Sequence, residues 1–180
     1  MSRTKTLVLT ALFVALVAIG AFIRIPTPLV PITLQFACCL AAAQILGVKG
    51  GNSVLIYLVM GLIGLPVFTE GGGFTYVLKP SFGYLIGMVT GTYMCGLIVK
   101  LKGDKIAFRL LGSFVALVIV DLFGATYMYL IYRYYLHTVI PIGELAVSAV
   151  ALFLPTDILW CCLTALAGYK ISKFTTRSNR

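Results

Sequence analysis

Long apolar runs alternate along the chain with short charged, glycine-rich or proline-rich stretches. Read from charge to charge, they predict six membrane-spanning helices, at about residues 7–23, 32–48, 53–68, 82–99, 110–130 and 156–172. Each run is close to the roughly 17 to 25 apolar residues that a spanning helix needs. A β-barrel would show ten-residue segments of alternating hydrophobicity, whereas these runs are continuous. The expected fold is therefore an all-α membrane protein, one domain over residues 1–180.

The connectors carry their own signals. Pro26, Pro28 and Pro31 predict a structured non-helical loop after the first span, since proline lacks an N–H and holds its predecessor extended. Lys49-Gly-Gly-Asn52 makes the second and third spans an antiparallel pair. A glycine-rich loop follows from Glu70 to Ser81, with aromatics inside it and Lys79 near its end. Tyr127, Tyr129, Tyr132, Tyr134 and Tyr135 form a belt suited to the membrane–water interface. Pro155 divides an apolar piece at 144–153, too short to span, from the sixth helix, whose first turn it can occupy without losing a hydrogen bond.

Composition closes off other classes. The hydrophobic set makes up 61% of the residues and charged residues 11%, where a soluble domain carries roughly 25% charge. The mean hydropathy of +1.06 points the same way. The first apolar run has no A-x-A-like cleavage site after it, so it reads as a span and not as a cleavable signal peptide.

Charge then orients the bundle. With the N-terminus inside, the inner face holds Arg3, Lys5, Lys49, Lys100, Lys102, Lys105, Arg109, Lys170, Lys173, Arg177 and Arg180, eleven of the fourteen cations. The outer face holds Arg24, Lys79 and Arg133. The positive-inside bias thus favours six spans with both termini cytoplasmic. The net charge of +9 serves topology and contact with anionic membrane lipid, and nucleic acid is not expected as a partner.

No catalytic signature emerges. His137 stands alone, the glycine-rich stretch lacks phosphate-loop order, and the five cysteines have no zinc spacing. No metal or cofactor is expected, and any ATP must be hydrolysed by a partner. Ala11 and Ala15 start a small-residue stripe that admits close helix approach, from a partner subunit or within the bundle. Ionisable groups within spans are functional candidates by default. Asp157 lies in the first turn of the sixth span, as a ligand contact or a first-turn acid, and Asp121 lies deeper in the fifth. Gln35 offers donors and an acceptor to a neutral urea or amide, or packs between helices. Lys79 pairs with a ligand carboxylate or snorkels.

Pro28-Leu-Val-Pro31-Ile-Thr-Leu-Gln35, Tyr57-Leu-x-x-Gly61-x-x-Gly64-Leu-Pro66-Val-Phe68, Gly71-Gly-Gly73, Pro80-Ser-Phe-Gly83-Tyr84-Leu-x-Gly87 and Phe153-Leu-Pro-Thr-Asp157 together resemble the BioY family. These are the biotin-specific S components of energy-coupling factor (ECF) transporters. The resemblance implies a six-helix S-component bundle in a prokaryotic cell membrane, with an outward-facing biotin pocket. It also implies a transmembrane coupling subunit, contacted through Ala11 and Ala15, and a cytoplasmic ATPase pair. The substrate-binding candidates are Thr33, Gln35, Gly72, Phe74, Tyr76, Lys79, Ser81, Tyr84, Asp157 and Trp160. Gln35 and Asp157 would take the ureido group, the aromatics would form a wall, and the glycines would permit lid movement.

One departure stands out. The family pattern Gly-Asp-x-x-Lys reads Thr156-Asp157-Ile-Leu-Trp160 here, so Lys79 is expected to supply the cation and Trp160 to cover the apolar ring. The rival readings are an S component for another vitamin, an intramembrane enzyme and a structural membrane protein.

Overall fold

The computed structural model describes residues 2–27, 30–138, 141, 143 and 147–178. Pro28, Leu29, Glu144 and Arg180, used in the reading above, lie outside the described residues. The described part has six α-helices: α1 Arg3–Phe22, α2 Gln35–Leu46, α3 Gly50–Leu62, α4 Phe82–Lys102, α5 Ile106–Leu130 and α6 Leu154–Ser178. The first proline-rich connector contains two short antiparallel strands, β1 Arg24–Ile25 and β2 Ile32–Thr33, with Arg24 opposite Thr33. Residues 32–33, expected within the second span, are therefore strand.

The stretches Arg3–Phe22, Gln35–Leu62, Phe82–Lys102 and Ile106–Tyr135 have the length and hydropathy to cross a membrane. Gln35–Leu62 is not one rod. Gly47 ends α2 at φ +62°, a left-handed conformation that glycine adopts without strain, and three 3₁₀ residues lead into α3. The side chains of Gln35 and Tyr57 lie together. In a straight helix they would be about 33 Å apart at 1.5 Å per residue. α2 and α3 are thus the antiparallel pair that Lys49-Gly-Gly-Asn52 predicts.

α2 sits at the centre, packed on α1, α3, α4 and α6. Eight of its twelve residues are buried, and Cys38, Ala41, Ile45 and Leu46 are partly so. α4 and α5 meet along a seam of small residues. A Cβ on Gly87 would lie 2.8 Å from Val120 Cα, one on Gly91 3.0 Å from the Ala116 carbonyl, and one on Gly112 3.1 Å from the Cys95 carbonyl. This spacing by fours brings two antiparallel backbones close enough for dispersion to hold them where lipid removes the hydrophobic drive. Large apolar side chains such as Leu7, Ile19, Val118 and Leu122 face outward, as a lipid-facing surface would require.

At the end of the bundle that holds most of the lysines, Arg109 is 5% exposed and fully committed on two nitrogens. Its Nη1 donates to the Gln44 carbonyl and to Gln44 Oε1, both at 2.8 Å, and its Nε donates to Asp104 at 2.6 Å. Gln44 Nε2 donates to the Arg109 carbonyl and to Ser113 Oγ, at 3.1 and 2.9 Å. Ser172 Oγ donates to the other oxygen of Asp104. This clasp ties α2, α5, α6 and the α4–α5 turn together. Partial desolvation works against the Asp104 carboxylate, but the bonds from Ser172 and Arg109 outweigh it and hold the carboxyl below its ordinary range.

Candidate functional site

A cavity of about 60 Å³ opens at the other end, between β2, the start of α2, the α3–α4 loop, and the walls of α4, α5 and α6. Of the residues singled out by the sequence, Thr33, Gln35, Tyr76, Ser81, Tyr84 and Asp157 line it. Phe36, Leu85, Met88, Val120 and Phe153 supply the apolar wall. Each is placed by an element with a local reason to be there. Gln35 opens α2 directly after the β2 strand, and Asp157 occupies the first turn of α6, where free N–H groups favour a carboxylate. Pro155 sits in that same turn, as expected.

Gln35 is the most informative of these residues. It is 2% exposed, and its Nε2 has no hydrogen-bond partner. The neighbouring Tyr57 phenol donates instead to the Val67 carbonyl at 3.0 Å. An unpaired amide donor in an apolar setting costs about 1–3 kcal/mol, so a group that accepts from it inside the cavity is strongly favoured.

The charge of the wall is one-sided. Glu70, Asp121 and Asp157 line the cavity, and no lysine or arginine does among the described residues. Asp121, whose role the sequence left open, lies near enough to Asp157 for the two to interact electrostatically. Glu70 was legible only as a loop charge. It pairs with Lys79, whose ammonium also stands 5.2 Å from the centre of the Tyr76 ring. Lys79 thus lies just outside the wall, held at the rim by a residue that belongs to it.

Gly72, Phe74 and Trp160 are placed elsewhere. Gly72 packs against the Leu65 carbonyl, and Gly73 N–H donates to the Gly61 carbonyl at 2.7 Å, so the glycine run fastens the loop to α3. The Phe68 ring, fully buried, fills the space beside Gly61. Phe74 is 78% exposed and points away from the cavity. Trp160 lines a different, apolar groove between α1, α2 and α6, because α6 turns Cys161 inward and carries Trp160 to the α1 side. Ala11 and Ala15 lie on the exposed face of α1, open to another helix.

This arrangement, a helical bundle able to cross a membrane with a small polar-and-aromatic cavity at one end, is that of a substrate-binding membrane subunit. It is similar to a solved structure described as the S-component for biotin from an ECF-type ABC transporter, with a TM-score of 0.83 and 30% identity over 96% of this chain and 95% of that one. The BioY family model matches residues 1–177, and the chain belongs to the BioY family. Among its relatives, a probable biotin transporter BioY of Lysinibacillus sphaericus is 43% identical over 128 residues, 70% of this chain and 65% of that protein. The biotin transporter BioY of Thermotoga maritima is 33% identical over 75% of this chain and 78% of its own length. That of Rhizobium etli is 34% identical over 92% and 91%.

Proposed function

We propose that this chain is the biotin-capturing S component of an ECF-type transporter, non-enzymatic and resident in a prokaryotic cell membrane. Its six helices would span the bilayer with both termini cytoplasmic, and the coupling subunit would dock on the Ala11 and Ala15 face. The likeness to a biotin S-component over 96% of the chain carries this reading. The cavity chemistry supports it. Biotin offers a neutral ureido ring, an apolar sulfur ring and a carboxylate tail. Gln35 Nε2 would donate to the ureido oxygen, and Asp157 would accept a ureido N–H. Tyr76, Tyr84 and Phe153 would enclose the sulfur ring. With three acids and no cation in the described wall, the tail is directed to the rim, where Lys79 stands.

A cavity of about 60 Å³ holds only a few waters, so biotin must widen it on binding. Equilibrium binding of labelled biotin to the purified protein tests the proposal, with riboflavin, thiamine and folate as competitors. Submicromolar biotin affinity that the others do not compete away is the expected result. Binding of one of the others in its place would assign a different vitamin.

A further inference from the structure

The groove that takes Trp160 runs along α2 from Leu34 to Ile45, about 16 Å at 1.5 Å per residue. This is about half the roughly 30 Å thickness of a hydrocarbon core. Its volume is about 350 Å³. Its floor is made of small residues, Ala37, Cys38 and Ala41, and its sides of Phe13 and Leu163. Phe13 and Leu16 lie about 150° around α1 from Ala11 and Ala15 at 100° per residue, so the groove is separate from the alanine face.

At its Gln44 end the groove changes character. Gln44, Ile45 and Gly168 also border a second cavity of about 860 Å³, where Ser2, Lys5, Arg109 and Ser172 gather. The guanidinium of Arg109 is nine-tenths buried, and its Nη2 makes no hydrogen bond among the described residues. Gly168 makes room for it, since a Cβ there would lie 2.6 Å from Nη1. One continuous depression therefore passes from an apolar channel one leaflet deep to a cationic, hydroxyl-lined pocket.

We propose that this depression is a binding site for one anionic phospholipid, with an acyl chain along α2 and the phosphate at Arg109 and Lys5. Two observations select a lipid over a helix of a partner protein. The channel has the depth of a single acyl chain, and the two cations sit at one end of it, as a headgroup requires. Lys5 favours an anionic headgroup by about fivefold, while Arg109, already paired with Asp104, adds a guanidinium donor and not a net charge.

The chain contains a single tryptophan, Trp160, and it lines the end of the channel away from the cations. It therefore reports directly on occupancy. The full-length protein is reconstituted in phosphatidylcholine vesicles, and its fluorescence is followed as either phosphatidylglycerol or phosphatidylcholine with chains brominated near their ends is added. Brominated phosphatidylglycerol is expected to quench Trp160 at a severalfold lower mole fraction than brominated phosphatidylcholine. Lys5→Glu, at an exposed position outside the clasp, should remove most of that preference. Ala41→Trp cannot be read by fluorescence, so Ala41→Leu, which narrows the channel floor, serves as the second variant and should weaken quenching by both lipids. Glycerol phosphate added to the medium should not compete, because it lacks the chain. Equal quenching by the two headgroups would reduce the contact to ordinary surrounding lipid and overturn the proposal. So would the absence of quenching by either lipid, since the groove would then be closed to acyl chains.

Discussion

Replacing Gln35 by methionine separates a binding amide from a packing one. Methionine keeps the unbranched shape and length of the side chain and removes its polar atoms. In the empty protein Nε2 is buried without a partner, so its loss relieves an unmade bond worth about 1–3 kcal/mol. The neighbouring Tyr57 phenol donates to the Val67 carbonyl, and that bond is kept in the variant. The empty variant should therefore unfold at the same temperature as the parent or a few degrees higher. Binding moves the other way. If Nε2 donates to the ureido oxygen, its removal leaves that oxygen unsatisfied inside the protein, and affinity falls by about 10- to 100-fold, or about 1.4–2.8 kcal/mol. Thermal unfolding in detergent and titration calorimetry with biotin measure the two quantities on one preparation. Parental affinity in the variant would refute the role of Gln35 in binding. A melting temperature that drops along with affinity would refute it equally, because the amide would then be a structural group.

Three further outcomes follow from particular contacts. Lys79→Ala should leave the melting temperature within about 1 kcal/mol equivalent of the parent, since the Glu70 pair is exposed, while weakening biotin more than biotinamide, whose tail carries no charge; competition binding with both ligands checks this. Gly83→Ala should destabilise the α4–α5 seam by about 1–3 kcal/mol, because the added methyl meets the Cβ of Tyr127 and the Phe123 carbonyl, and thermal unfolding reads the loss. Because the Asp104 carboxyl is held below its ordinary value in the folded protein, its contribution is complete above that ordinary value, near pH 4, and is lost as pH falls through the lowered one; Asp104→Asn should flatten the acid limb of a stability–pH profile without changing its course at neutral pH.

The helices were legible because each apolar run is bounded by charge, proline or glycine, and the α2–α3 reversal because Lys49-Gly-Gly-Asn52 leaves no room for a longer link. The two strands were not, since two residues are too few to show a period of two. Of the ten substrate-binding candidates, those at helix starts or in the strand lie in the cavity wall. Phe74, chosen as an aromatic of the loop, and Trp160, chosen for its place in the family pattern, do not. Phe74 and Tyr76 are two apart in a 3₁₀ turn, and only tertiary contact decides that Tyr76 faces inward. Trp160 is three residues after Asp157, about 60° around α6, enough to place it over the flank facing α1. Arg109 reads from the sequence as one more cytoplasmic cation. Its burial depends on Gln44, 65 residues away, the one polar side chain between Gln35 and Lys49 able to satisfy a guanidinium.

The two segments that cover the cavity are not tied down equally, and this bears on which of them moves. The α3–α4 loop is held by Tyr57 to the Val67 carbonyl, by Tyr127 to the Val77 carbonyl at 2.6 Å, by Gly73 to Gly61, and by the buried Phe68 ring. Lifting it breaks three hydrogen bonds of about 1 kcal/mol each and exposes a phenylalanine worth about 1.5–3 kcal/mol. The β1–β2 hairpin is held by its own short ladder, by Leu34 to the Ile23 carbonyl, and by one tertiary bond, Arg24 Nη1 to the Thr69 carbonyl at 2.8 Å. If the hairpin swings as a unit it keeps its ladder and gives up the arginine bond, made at an exposed site where water replaces it, together with the burial of Val30, worth about 1.5–3 kcal/mol. The glycine-rich loop, which the sequence suggests as the lid, is thus the firmer of the two, and its glycines serve close packing. The cheaper opening lies at the proline-bearing hairpin, whose Ile32 and Thr33 form part of the cavity wall and would carry that wall outward as the site widens for a ligand.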